Sequence, residues 1–504
     1  MNIELQVLGS ALRAVAEEMG AVLVRSAFSA NIKERRDCST ALFAADARMI
    51  AQAEHIPVHL GAMPDAVAAV RERGPELGDV FVVNDPFTGG THLPDVTLVS
   101  RTELGFAVSR AHYADVGGAE PASLPAGSTD LFQEGLIVPP VRLNDEVVTV
   151  LLANMRNPEE RRGDLRAQLA AHRLADRRLA ELCERKGREP VVAAMDELYA
   201  YSERRVRAAI AALPDGRYDA SDVLEAPEGE LVIRATVAIA GETVAIDFAG
   251  TDPQHPGNLN CPIAVTRSAA YFVVRCLTDP DVPASGGAFA PVSVTAPEGS
   301  LVNARPPAAV VAGNVETSSR IADVLFKAFG RAFPVPARGQ GTMNNLTFGN
   351  ARFTYYETIG GGQGACPDGD GPSAVHVAMS NTLNTPVEAL ELGYPLRVER
   401  YALRLGSGGK GRSRGGDGVI REITALEPCR VSIVSERRAR GPEGAGGGEP
   451  GLPGRNLVDG DEVPGKLSRP LRAGEAVTIE TPGGGGYGAE RAGPGDRSRP
   501  SART

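Results

Sequence analysis

The chain has 504 residues, of which 42% are hydrophobic and 23% are charged, and its formal net charge is −10. A length of this order predicts roughly two to four domains. An acidic chain is a poor candidate for a nucleic-acid surface, because phosphate binding requires clustered Lys and Arg. No apolar run reaches about 18 residues, so we expect no membrane-spanning helix and no membrane partner.

The N-terminus and the cysteines bear on the cellular compartment. Residues 1–20 lack the basic stretch and apolar block of a signal peptide, so we expect a cytoplasmic protein. The six cysteines are scattered without a C-x-x-C pair, which argues against both a disulfide framework and a thiolate zinc site. We therefore expect reduced thiols, most of them in the core.

The first half of the chain alternates predicted helices and strands. Apolar positions at helical spacing predict an opening helix over 3–27. Between 37 and 150 the apolar runs are short and interrupted by Gly and Pro, which is typical of strands joined by loops. Residues 157–212 are rich in Ala, Leu, Arg and Glu, and they predict two long helices that end near 214–216.

The second half is predicted to be richer in strands. Apolar residues alternate over 231–239 and again over 244–248, which predicts a hairpin. Residues 314–330 carry one apolar helical face, with a glycine as its stop. Beyond 400 the chain is Gly-rich and strand-like, and from Pro482 onward its composition buries too little apolar surface to stay ordered.

Histidines are concentrated in the loop-rich N-terminal region. Four of the seven histidines lie between residues 55 and 112, namely His55, His59, His92 and His112. His92 and Asp95 form an H-x-x-D pattern, which His112 and Asp115 repeat twenty residues later. Two such pairs can converge on one divalent ion.

Imidazole and carboxylate together suit Zn²⁺, Mn²⁺ or Fe²⁺, and fewer than six protein ligands leave a place for water. A metal lowers the pKa of that water towards neutrality and so makes a nucleophile available. The alternative is that each H-x-x-D pattern is an ordinary loop hydrogen bond. His55 and His59 flank a proline, which excludes a shared helical face, so we interpret both as structural or rim residues.

These patterns predict a mixed α+β fold of several domains, with a metal-bearing N-terminal part, long central helices and a β-rich C-terminal part. The composition shifts define five segments, namely an N-terminal metal-site domain at 1–156, a helical segment at 157–214, a central α/β domain at 215–400, a Gly-rich β domain at 401–488 and a disordered tail at 489–504.

Several long motifs resemble one known family. They are SAFSANIKERRDCSTALFAADARMIAQAEHIPVHLGAM (26–63), NDPFTGGTHLPDVTLV (84–99), HYADVGG (112–118), FQEGLIVPPVRL (132–143), AGNVETSSRIADV (312–324) and QGTMNNLTFG (340–349). The chain is similar to the hydantoinase B/oxoprolinase family in one collinear series from about residue 3 to 488. N-methylhydantoinase, caprolactamase and acetone carboxylase belong to the same family.

The resemblance implies an ATP-dependent enzyme that opens cyclic amides such as hydantoin, 5-oxoproline or a lactam. It implies a hetero-oligomer in which a separate hydantoinase A-like partner binds ATP and Mg²⁺ and activates the small-molecule substrate by phosphorylation. Two alternatives stay open, a component of an ATP-dependent ketone carboxylase and a non-catalytic scaffold for the ATPase subunit.

Carried over by motif, the resemblance implies a divalent metal, Zn, Mn or Fe, with four ligands: Asp37, His92, Asp95 and His112. Asp115 is the predicted catalytic residue outside the ligand set, because ligating imidazoles usually need a carboxylate or carbonyl to orient them.

Two charged groups carry further hypotheses. Residues 406–412 contain glycines and a lysine, but Gly411 occupies the place of the Mg²⁺-binding hydroxyl of a phosphate loop, so nucleotide binding is expected on the partner. Glu316, Arg320 and Asp323 lie at helical spacing, where they are equally consistent with substrate or partner binding and with a surface ion-pair ladder.

Overall fold

The N-terminal part of the chain forms an antiparallel sheet. The structure is a computed structural model and describes residues 3–53 and 56–490. Its first elements are α1 (Ile3–Ser26), α2 (Ala30–Lys33), β1 (Cys38–Ala44), β2 (Met49–Ala53), α3 (Met63–Arg71), β3 (Val80–Val83), β4 (Asp95–Arg101), β5 (Gly105–His112) and β6 (Val141–Arg142). The six strands follow the order β2-β1-β5-β4-β3-β6, and every neighbouring pair is antiparallel.

The short helix α4 (Asp145–Asn154) packs on α5 (Pro158–Lys186). The long helices α5 and α6 (Arg188–Ile210) pack on this sheet. Proline at the start of α5 suits the first helical position, and Gly187, with a φ of 84°, separates α5 from α6. Both predicted helices are confirmed. None of the helices in the described ranges is long and apolar enough to cross a membrane.

The central part joins a four-stranded sheet to two helices. Its elements are β7 (Gly216–Ala226), β8 (Gly229–Ala240), β9 (Thr243–Asp247), α7 (Ile263–Leu277), β10 (Val292–Thr295) and α8 (Ser318–Phe329), and a π-helical turn over Gly313–Thr317 leads directly into α8. The predicted hairpin is confirmed, because β8 and β9 pair antiparallel. The apolar face of α8 packs against α7, β7 and β8.

The C-terminal part contains two further sheets. Its elements are β11 (Asn345–Gly349), β12 (Thr354–Glu357), α9 (Val387–Gly393), β13 (Leu396–Arg404), β14 (Gly418–Ala425), β15 (Cys429–Val434), β16 (Arg455–Val458), β17 (Asp461–Val463), β18 (Lys466–Leu471) and β19 (Ala476–Glu480). The sheet orders are β12-β11-β15-β18 and β13-β14-β19-β16-β17. The predicted α+β class with a β-rich C-terminal part is confirmed. The five segment boundaries stay predictions.

Glycine-rich segments of the C-terminal part lie side by side as extended chains. We call residues 360–371, 407–418, 441–454 and 482–488 the glycine bundle. The N–H groups of Gly484 and Tyr487 donate to the 407–418 segment, whereas those of Gly483 and Gly486 donate to the 441–454 segment. The direction of these N–H groups repeats every three residues, as it does in an extended helix with three residues per turn.

The glycine bundle corrects one expectation. Residues 482–488 are ordered although their composition buries little apolar surface, because backbone hydrogen bonds to neighbouring segments hold them. Of the predicted disordered tail at 489–504, residues 491–504 lie outside the described residues.

Candidate metal centre

Antiparallel pairing of β4 and β5 brings the two H-x-x-D motifs together. Asp95 begins β4 and is the direct cross-strand partner of His112, which ends β5. His92 lies in the turn before β4, where its carbonyl accepts a hydrogen bond from the Asp95 N–H at 3.0 Å. The local fold therefore places His92, Asp95 and His112 at one end of two central strands.

These three side chains form a triangle of ligand atoms, which we call the metal triad. His92 Nε2 lies 3.2 Å from both His112 Nδ1 and Asp95 Oδ1. The distance from His112 Nδ1 to Asp95 Oδ1 is 3.3 Å. A tetrahedral centre with bonds of about 2.0 Å has ligand atoms about 3.3 Å apart. The triad therefore has the spacing and the donor types of a divalent metal site.

The metal triad has unused binding capacity. Asp95 Oδ1 is buried and accepts no hydrogen bond from residues 3–53 and 56–490, although two imidazole nitrogens face it at 3.2 and 3.3 Å. An unsatisfied buried carboxylate oxygen is costly unless another group binds it. The position of this oxygen between two imidazole nitrogens is the feature of the site that best fits a bound cation.

The second carboxylate oxygen of Asp95 is held in place. His59 Nε2 lies 3.4 Å from Oδ2, and the Thr91 hydroxyl donates a hydrogen bond to the same oxygen. Burial alone would raise the pKa of Asp95, but the imidazoles of His92 and His59 hold it well below its ordinary value. Asp95 is therefore ionised, as a metal ligand must be.

The two histidines interpreted as structural or rim residues have different outcomes. His59 is buried, and its Nδ1 lies 3.0 Å from the Ser39 hydroxyl, so it positions Asp95 from behind. This agrees with a structural role and not with a place at the rim. His55 lies outside the described residues.

Asp37 lies beside the triad without joining it. It lines the same cavity, and its backbone carbonyl accepts a hydrogen bond from the His112 N–H at 3.0 Å. Among the described residues, the metal triad is the group of His, Cys, Asp or Glu side chains whose ligand atoms all lie within 4.8 Å of one another, and Asp37 is not a member of it. The role of Asp37 as a fourth ligand stays a prediction.

Asp115 faces a loop and not the triad. Its carboxylate accepts hydrogen bonds from the backbone N–H groups of Gly117, Ala122 and Arg156 and pairs with the Arg156 guanidinium at 3.0 Å. The far nitrogens of His92 and His112 have no hydrogen-bond partner in the described part of the chain. These contacts give Asp115 no part in orienting an imidazole, and its catalytic role stays a prediction.

Residues distant in sequence complete the cavity. The Tyr356 ring stacks on His112 with centroids 4.7 Å apart and the planes inclined by 18°. The π-helical turn contributes Asn314 and Val315, and the loop after Val375 contributes Met379, Ser380 and Thr382. The cavity volume is about 20 Å³, which is room for about one water molecule. Sequence spacing around the histidines carries no signal for these residues.

Glu316, Arg320 and Asp323 do not form a surface ladder. All three are buried, and Arg320 lies 3.1 Å from Asp222 and 3.3 Å from Glu436. Burial and the neighbouring Glu436 raise the pKa of Glu316 to about 7. The expectation of a surface ion-pair ladder is wrong, because Arg320 pairs with Asp222 on β7 and Asp323 pairs with Arg437 in the loop after β15.

The fold and the triad define a class, an α+β protein with a buried site of two histidines and one carboxylate suited to a divalent metal. The chain belongs to the hydantoinase B/oxoprolinase family, whose sequence profile matches residues 1–490.

Its relatives fall into two length classes. The 5-oxoprolinase 1 of Arabidopsis thaliana is 38% identical over 97% of this chain, but the chain spans only 42% of that protein. A protein of Pseudomonas sp. named as the B-type subunit of a putative D-/L-hydantoinase is 32% identical over 96% of this chain and 90% of its own length.

Two solved structures share the architecture. The crystal structure of ATP-dependent caprolactamase from Pseudomonas jessenii matches with a TM-score of 0.90 and 31% identity, covering 97% of this chain and 91% of that one. Acetone carboxylase matches with a TM-score of 0.87 at 17% identity, covering 96% and 75%, which shows the fold alone.

Proposed function

We propose that this chain is the metal-dependent subunit of an ATP-dependent hydrolase that opens cyclic amides. The observation that carries the proposal is the metal triad, whose ligand atoms lie 3.2 to 3.3 Å apart. Relatives named 5-oxoprolinase, D-/L-hydantoinase and caprolactamase support a cyclic amide as the substrate class.

The proposed division of labour rests on the lengths and names of the relatives. The 5-oxoprolinase relative has more than half of its length beyond the part that matches this chain, and the hydantoinase relative is named as one subunit. We propose that a hydantoinase A-like partner binds ATP and Mg²⁺ and activates the substrate, and that the two proteins form a hetero-oligomer.

The residues of this chain hold and orient the reacting groups. A divalent ion held by His92, Asp95 and His112 supplies a water of lowered pKa when bound. His59 and Thr91 fix one oxygen of Asp95 and leave the other directed at the imidazoles. Tyr356 fixes the ring plane of His112. We propose Asp37 as a further ligand from the cavity wall.

A non-catalytic scaffold does not account for the site, because a scaffold has no use for an unsatisfied buried carboxylate between two imidazoles. Carboxylation of a ketone has no separate observation in its favour. Both alternatives are tested by the same assay.

The test is an assay of this chain co-expressed with its partner against 5-oxoproline, hydantoins, lactams and ketones, with and without ATP and bicarbonate. We expect ATP-dependent ring opening. His92→Ala and His112→Ala are expected to lose at least about tenfold in metal affinity and to lose activity while they still assemble with the partner. His255→Ala, in a loop beside Glu228, is the matched control. Full metal content and normal turnover in both triad variants contradict the proposal.

A further inference from the structure

Outside the metal triad, one polar atom in the wall of the metal cavity has no hydrogen-bond partner among the described residues. Asn314 is 3% exposed and lines the cavity that holds the metal triad. Its Oδ1 atom accepts no hydrogen bond in the described structure. A buried acceptor without a donor is disfavoured, so an unused acceptor beside a reaction centre indicates a ligand group that completes it.

We propose that Asn314 is the specificity-determining residue that accepts a hydrogen bond from the ring N–H of the cyclic amide. The proposal rests on the proposed function and names the group by which that site distinguishes N–H from N-substituted substrates. A cyclic amide offers a carbonyl oxygen, which accepts, and a ring N–H, which donates. Only the N–H complements an acceptor oxygen.

The backbone around Asn314 is fixed. A Cβ atom at Gly313 would lie 1.8 Å from the Asn260 carbonyl oxygen, so the π-helical turn packs directly on a neighbouring backbone. The Ser318 hydroxyl donates to the Asn314 carbonyl at 2.6 Å, and the Thr317 hydroxyl donates to the Leu259 carbonyl at 2.5 Å. Single π turns inside helices are frequent at functional sites. Asn314 therefore projects from a rigid element, as substrate positioning requires.

The other polar groups of the wall, apart from Asp37 and the metal triad, are already engaged. The Tyr356 hydroxyl donates to Asn345 at 2.9 Å. The hydroxyls of Thr358 and Thr382 accept from Arg35 at 2.6 and 3.0 Å, and Ser380 lies 2.6 Å from His376 Nδ1. Most of the remaining wall is apolar, with Ile56, Val58, Val315, Met343 and Met379. Asn314 is thus the neutral acceptor in the described wall that is left for a substrate donor.

The test is a double-mutant cycle between residue and substrate. The wild-type chain and Asn314→Leu, each co-expressed with the partner, are assayed on 5-oxoproline, hydantoin and caprolactam and on their N-methyl derivatives. We expect Asn314→Leu to lower kcat/KM by about 10- to 100-fold for the N–H compound and by less than about threefold for its N-methyl counterpart. Asn314→Asp, which keeps an acceptor oxygen, is expected to retain part of the preference.

Equilibrium dialysis of the N–H and N-methyl compounds without ATP gives a second readout, in which the variant loses affinity for the N–H compound alone. Ser300→Ala removes another buried unpartnered oxygen outside the cavity and is the matched control. Equal losses on both compounds, or loss of the metal in Asn314→Leu, overturn the assignment. If the wild-type pair opens none of the rings, the proposed function itself fails, which is a distinguishable result.

Discussion

At the scale of single residues, His172 shows how burial sets a protonation state. It lies on α5 between the hydroxyls of Ser100 and Ser109, at 2.7 and 2.9 Å from its two nitrogens. Burial lowers the pKa of His172 to about 3. The imidazole is therefore neutral in the folded protein near neutral pH.

This pKa makes stability depend on pH in a defined direction. Because the unfolded chain binds a proton near pH 6.5 and the folded chain only near pH 3, the histidine stabilises the folded state above about pH 6.5 and loses that effect as the pH falls towards 3. We expect His172→Leu to lower stability by about 1–3 kcal/mol at pH 7.5, since two serines lose their partner. The difference in stability between the wild type and the variant should be smaller at pH 4.5. It is measured as the difference between their urea midpoints. A deficit that grows on acidification contradicts this account.

The metal triad could be found from sequence, but its surroundings could not. The H-x-x-D pairs can be recognised in a short stretch of sequence. The pairing of β4 with β5 then brings His92, Asp95 and His112 together. His59 carries the same residue type but no spacing signal, so its contact with Asp95 was not predictable. Asn314 and Tyr356 approach the triad only through tertiary packing of segments that are distant in sequence, and no local pattern encodes such an arrangement.

At the scale of elements, the proposed cyclic amide substrate can reach the triad only if the loop 376–383 moves. A cavity of about 20 Å³ holds about one water molecule and no ring. The loop lies between this cavity and an outer cleft of about 220 Å³ lined by Val377 and Ala378. Arg35 fastens it, because its guanidinium binds the Thr382 hydroxyl and its carbonyl accepts from the Leu383 N–H.

Loss of the Arg35 side chain should loosen this loop. We expect Arg35→Met to increase amide hydrogen exchange in a peptide spanning 376–383 by at least about tenfold, because the local opening free energy falls. Arg430→Met, which removes an arginine that pairs with Glu120 on another face, is the control and should leave that peptide unchanged. Unchanged exchange in Arg35→Met would show that other contacts hold the loop.

Regular elements were predicted better than irregular ones. Helices α5 and α6 and the β8–β9 hairpin follow from periodicity, because one apolar face repeats at the helical or strand spacing. The π-helical turn does not, since it depends on the close approach of Gly313 to Asn260. A contact between residues separated by more than fifty positions leaves no local pattern.

At the scale of the whole molecule, the glycine bundle joins four segments of the C-terminal part through backbone hydrogen bonds. A Cβ atom at Gly484 would lie 2.0 Å from the Gln363 carbonyl oxygen, whereas one at Gly369 would meet nothing within 4 Å. We expect Gly484→Ala to destabilise the protein by at least about 2–3 kcal/mol, because a backbone cannot move aside as a side chain can. Gly369→Ala should change stability by less than about 1 kcal/mol. Thermal midpoints of the two variants decide it, and equal midpoints would contradict the packing.

The same bundle constrains when the protein can finish folding. Residues 482–488 supply hydrogen-bond partners to three other segments, and ribosomes deliver them after every one of those segments. Domains generally fold from the N-terminus during synthesis, so the first sheet and its triad can form while the C-terminal sheets still lack their shared neighbour. Translation must pass residue 488 before the bundle can form. A chain truncated ahead of Pro482 leaves the 407–418 and 441–454 segments without the segment that joins them.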